Sequence, residues 1–164
     1  MRDFLNQIRQ ALNQNLYSVA LSMCLTIPSI CGAIDSSDGQ DTKAKYVQWY
    51  DQNVSSMCQF FDGQACYFFR CSMLHQGSTM NPNSRFSRII FLEPGTTNNF
   101  MHCNVMNNAL NLDVRVFCTA VIDSADRWLN RVINTPLFQT NYDKFMRRYP
   151  NGLPPYIVGT PVIG

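Results

Sequence analysis

The stretch from Tyr17 to Ile34, YSVALSMCLTIPSICGAI, runs for 18 residues without a charge. A helix that is apolar nearly all round has to be covered on every side, either by lipid or by the rest of its own chain. Ser18, Ser22, Thr26, Pro28, Ser29 and Gly32 interrupt it and make it a poor fit to lipid. The reading is therefore a central core helix, with no membrane partner. Pro28 is expected to kink or end that helix, because proline lacks the N–H of the helical ladder and crowds the preceding turn.

Covering such a helix takes several amphipathic ones. Phe4, Ile8 and Leu12 mark one face of a first helix over 3–13. Asp41 or Thr42 opens a helix with Val47, Tyr50, Val54 and Met57 on its core side. A helix starting after Asp62-Gly63 should end near Gln76-Gly77, where glycine supplies the left-handed cap. Asp113 caps the clearest element, which carries Val114, Phe117, Val121, Ala125, Trp128 and Val132 on one stripe. Asp123 and Arg127 within it form an i,i+4 pair. Thr135-Pro136 begins a last helix reaching Arg148.

Between these helices the period changes. RFSRIIFL (85–92) is rich in strand formers, EPGTTNN (93–99) reads as a turn, and FMHCNV (100–105) alternates. The expected fold is mainly α: one domain over 1–164, a bundle of five to six helices with a small inserted β-hairpin at about 85–105. The tail from 149 is uncharged and carries prolines at 150, 154, 155 and 161. It should be an ordered, extended strap, docked on its own domain or on a second subunit or partner.

Charged residues make up 15% of the chain and the net charge is +2. Such a surface repels its copies weakly and points to self-association. Seven cysteines without a CxxC pair, and a start (MRDFLNQIRQALNQ) lacking a signal-peptide core, point to a reducing, cytoplasmic setting with free thiols. No metal or cofactor site is expected. Cys66 and Cys71 read as core thiols, His102 as a hairpin surface residue, and Lys144, Arg147 and Arg148 as cations closing the last helix.

The candidate site lies in CYFFRCSMLHQG (66–77), where Arg70 and His75 stand in an otherwise mostly apolar run. At about 100° per residue they are separated by about 140° on a regular helix. Arg70 either pairs with an acid such as Asp62 or Asp113, or the two residues face a cleft, or the helix sits at a subunit interface. The simplest alternative makes Arg70 a structural ion-pair partner and His75 a helix-terminal residue. Arg70, four residues, His75 and then Gly77 resemble the Arg-x4–6-His motif of the HEPN superfamily, all-helical domains of bacterial toxin and defence systems. That resemblance implies a metal-independent ribonuclease in which two subunits bring their Arg70 and His75 pairs into one cleft, with RNA as substrate. Cys71 departs from the family pattern, in which a polar residue follows the arginine. It favours the alternative, a non-catalytic helical module that binds a partner protein or a nucleotide.

Overall fold

The structure, a computed structural model, describes residues 1–95 and 101–164. Six α-helices carry most of the described chain: α1 (Arg2–Asn13), α2 (Tyr17–Ile34), α3 (Lys43–Asn53), α4 (Gly63–Gln76), α5 (Val114–Val132) and α6 (Pro136–Tyr142). The architecture is mainly α, as the sequence implies. α2 is the hub, in contact with α1, α3, α4, α5 and α6. Among the described residues it is the one helix long and apolar enough to cross a membrane, and half of it is buried inside the fold. Pro28 does not end it. The helix continues to Ile34 with Pro28 buried in its interior, so packing on the surrounding helices outweighs the hydrogen bond that proline removes.

Caps set the helix starts. Thr42 Oγ1 accepts from the Lys45 N–H, Asp62 from Ala65, Asp113 from Val116 and Thr135 from Phe138. The core stripe of α3 is Tyr46, Trp49 and Tyr50 rather than the earlier spacing, with Val54 just past its end. Met57 falls in a following 3-10 turn over 55–57. In α5 the expected Asp123–Arg127 pair does not form. Asp123 meets Arg9 of α1 at 3.4 Å, and Arg127 donates to Ser124 Oγ. α6 is shorter than expected and ends at Tyr142.

The strands pair differently from the expected hairpin. β1 (Arg88–Leu92) runs parallel to β3 (Ala109–Asp113), with Ile90 opposite Asn111. β2 (Asn104–Met106) is antiparallel to β3. β3 is thus the middle strand of the order β1-β3-β2, and all of it except Asp113 is buried. The true hairpin is β2–β3, turned by Asn107 and Asn108, both at positive φ. Asparagine tolerates that region, which the tight two-residue hairpin turn requires. The turn expected at 93–99 and the strand start at Phe100 lie partly outside the described residues. Phe61, Phe69, Phe91 and Phe117 pack ring against ring between α4, β1 and α5, which fastens the sheet to the helices.

Two of the seven cysteines are joined, correcting the free-thiol reading: Cys58 and Cys103 form a disulfide. The other five are free.

The tail is ordered but does not wrap the domain as a strap. It folds back on itself as an arm. β4 (Arg148–Tyr149) pairs with β7 (Val162–Ile163), and β5 (Gly152–Leu153) with β6 (Ile157–Val158). Two backbone bonds between Arg147 and Gly164 close its base.

Candidate functional site

α4 is held from both ends. Its first residue, Gly63, lies so close to α3 that a Cβ there would sit 2.6 Å from the Val47 carbonyl oxygen. Gly77 ends it in the left-handed conformation, φ 63°, which a residue bearing a Cβ adopts only at a cost. The helix is therefore regular through Gln76. Fraying does not swing His75 toward Arg70, and the two side chains keep their separation of about 140° around the axis.

Cys66, Phe69 and Ser72 form the buried face of α4. The Tyr46 hydroxyl donates to the Leu25 carbonyl at 3.1 Å and lies 3.2 Å from Cys66 Sγ. Burial pushes the Cys66 thiol up to about 12, so it stays protonated and is no nucleophile. Asn81 Nδ2 bonds to the Phe68 carbonyl and to Ser72 Oγ, drawing the chain after α4 back along the helix.

Arg70 is half-buried beside this face. Neither acid foreseen as a partner reaches it. Asp62 and Asp113 are committed to the caps of α4 and α5, and Arg70 makes no ion pair among the described residues. Its Nη1 lies 3.9 Å from Cys71 Sγ. Its Nε is enclosed with no hydrogen-bond partner among the described residues. His75 is exposed in the last turn. Around them α4 presents aromatic surface: the Lys43 ammonium lies 4.3 Å from the centre of the Phe68 ring and 5.8 Å from that of Tyr67. Within one chain the structure does not bring Arg70 and His75 together. Neither lines the cavity of about 510 Å³ that Met73 of this helix and its cap Gly77 form against β1.

The other candidates resolve into structural roles. His102 is not a surface residue. Its Nδ1 accepts the Asp113 N–H at 3.1 Å, which leaves the hydrogen on Nε2 to point at the Met57 carbonyl 3.4 Å away. Beside the disulfide, it pins the β2–β3 hairpin to the start of α5. Arg147 lies over the rings of Tyr142 and Tyr149 and meets Asp143 at 3.8 Å, so it offers no free phosphate fork. No three His, Cys, Asp or Glu side chains converge as a metal-ligand set among the described residues.

Sequence reading did not foresee a cavity of about 610 Å³ between the 3-10 turn and α5, lined by Asn53, His102, Arg115, Thr119, Asp123 and Arg127 among others. The residues alternate too little in sequence to signal it. Its charges are also largely committed: Arg115 bonds to Asn15 and Tyr17, and Asp123 pairs with Arg9. No family model matches this chain, and no match to a curated protein or to a solved structure was found.

Proposed function

We propose that this chain is a HEPN-like protein of a bacterial defence or toxin-type system, a metal-independent ribonuclease acting as a homodimer through Arg70 and His75. The observation that carries this reading is that, among the described residues, the Arg70 guanidinium has no acidic partner, on a helix whose exposed end bears His75. Arg70 is half-buried, but its Nε is enclosed without a hydrogen-bond partner among the described residues, and an enclosed donor left unpaired keeps its desolvation penalty.

The chemistry needs two roles. An imidazole takes the proton from the ribose 2′-OH as the 2′ oxygen attacks phosphorus. A guanidinium stabilises the charge gathering on the phosphoryl oxygens. The bond to the 5′ oxygen then breaks, and that oxygen takes a proton from a second, protonated imidazole. The products are a 2′,3′-cyclic phosphate and a 5′-OH. One helix cannot supply this alone, since its two side chains diverge. Two copies of α4, placed face to face, would supply two of each.

A second reading, a non-catalytic module for a partner protein or a nucleotide, draws on Cys71 and on the divergence of the pair. RNA digestion in EDTA with end-group analysis decides between them. Arg70→Ala and His75→Ala should each lower cleavage by at least ~100-fold while leaving Tm within a few degrees. A wild-type chain that cleaves no RNA, or a His75→Ala variant that cleaves normally, removes the ribonuclease reading.

A further inference from the structure

The corner at residues 102–104, where the chain enters β2, carries two local costs. Cys103 has φ 57°, in the left-handed region that a residue with a Cβ enters only at a cost. Asn104 Oδ1 is enclosed with no hydrogen-bond partner among the described residues, and an enclosed acceptor left unpaired keeps its desolvation penalty. Such costs persist only where the surroundings impose the geometry.

Two ties impose it here. One is covalent: the Cys58–Cys103 disulfide joins the corner to the chain just after the 3-10 turn. The other is the His102 ring, which spans the Asp113 N–H and the Met57 carbonyl. The ties thus end on neighbouring residues, Met57 and Cys58. Met57 and His102 also line the cavity of about 610 Å³ against α5, so the disulfide holds two of its walls together. Cys58 is buried and Cys103 only half-buried, which leaves the Cys103 side the more open to attack.

We infer that this disulfide is a reversible redox latch on the cavity, opened by a dithiol reductant. One thiolate of the reductant attacks the Cys103 sulfur. The S–S bond breaks, and its electron pair leaves on Cys58 Sγ, which takes a proton. The second thiol of the reductant then displaces Cys103 Sγ, which takes the other proton, and the reductant leaves as its own disulfide. Cys103 relaxes out of the left-handed region, Asn104 Oδ1 reaches water, and His102 no longer spans both its partners. The wall formed by His102 and Met57 then parts. The helices keep their caps and their packing, so the fold survives the change. The other five cysteines are free and take no part. The inference is independent of any role for Arg70 and His75.

Titration of the full chain with dithiothreitol, well below its Tm, tests it, with alkylation and mass spectrometry following Cys58 and Cys103. Both should become reduced while the far-UV circular dichroism holds. Hydrogen exchange at the Asp113 N–H, protected by His102 in the oxidised protein, should accelerate by about 10-fold or more, and the buried amides of α2 should not respond. A soluble gadolinium chelate should broaden the Met57 methyl resonance more in the reduced protein than in the oxidised one. Oxidised glutathione should reverse these changes. Cys58→Ser combined with Cys103→Ser should exchange Asp113 at the reduced rate and ignore dithiothreitol. A bond that is reduced only as the helices unfold is a structural staple and overturns the inference. So does a folded, reduced protein in which either Asp113 exchange or Met57 broadening matches the oxidised one, or a change that reoxidation does not reverse.

Discussion

Asn141 of α6 caps the end of α2 across 107 residues of sequence: its buried Nδ2 donates to the carbonyls of Ile34 at 2.9 Å and Ser36 at 2.7 Å. The last carbonyls of a helix have no intrahelical partner, and here a distant side chain supplies one. Asn141→Leu should cost about 2–3 kcal/mol, since it strands buried acceptors, and lower Tm by roughly 5–10 °C. Asn141→Asp should cost more, because it turns a carboxylate toward two carbonyl oxygens. Thermal melts of the two variants check the order, and an Asp variant as stable as wild type would contradict it.

What the sequence made legible is what short-range chemistry decides. Thr42, Asp62, Asp113 and Thr135 each satisfy a backbone N–H three positions on, so the starts of α3, α4, α5 and α6 can be read from neighbours alone. Gly77 likewise marks the end of α4. Strand pairing is different. Nothing near RIIFL says that its partner is ALNLD, because a parallel pair is joined across a long connection. The hairpin turn expected at 93–99 instead lies at Asn107-Asn108, both at positive φ, between β2 and β3. For the candidate site, the extent of α4 and its oily face were visible. The freedom of Arg70 from acids was not, because it depends on where two caps elsewhere spend their carboxylates.

The cysteines divide by environment, which thiol counting can read. Cys24, Cys31, Cys66 and Cys118 are buried, and Cys71 is half-exposed. Burial pushes Cys24 and Cys31 up as well as Cys66. A disulfide-exchange reagent should therefore find one fast thiol in the native protein, that of Cys71, and five after denaturation without reductant. Closing the 45-residue separation between Cys58 and Cys103 restricts the unfolded chain, so Cys103→Ser should cost about 2–4 kcal/mol. Dithiothreitol should lower the Tm of wild type and leave that variant unchanged.

The loop between α2 and α3 has a pH response of defined sign. The Lys45 ammonium, 2.6 Å away, holds the Asp38 carboxyl well below the usual carboxylate range, helped by the Gln40 N–H and the Ser36 hydroxyl. A carboxyl depressed by folding contributes stability that is present above its unfolded pKa and lost as pH falls toward the folded one. Asp38→Asn should therefore be slightly less stable than wild type at neutral pH, the pair being exposed and solvent-screened. The gap should begin to close below about pH 5. A gap that widens on acidification would contradict the assignment.

Gly63 tests how α4 is positioned, and with it Arg70. Alanine is the better helix former by up to ~1 kcal/mol, yet here its Cβ would lie 2.6 Å from the Val47 oxygen and 2.9 Å from the Val47 Cα. Both are backbone atoms, so no side chain can rotate away and α4 must move off α3. Gly63 also donates its N–H to Asp51 Oδ1 at 2.7 Å, and that bond would stretch in the same movement. The crowding should outweigh the propensity gain, for a net loss of about 1–3 kcal/mol. Gly77→Ala is the control: its Cβ would meet nothing within 4 Å, and its cost comes only from φ 63°. Both variants should melt below wild type. In NMR spectra the Arg70 Nε–Hε resonance should shift in Gly63→Ala and hold in Gly77→Ala. An Arg70 signal that ignores Gly63→Ala would mean that the contact with α3 does not set the position of this helix.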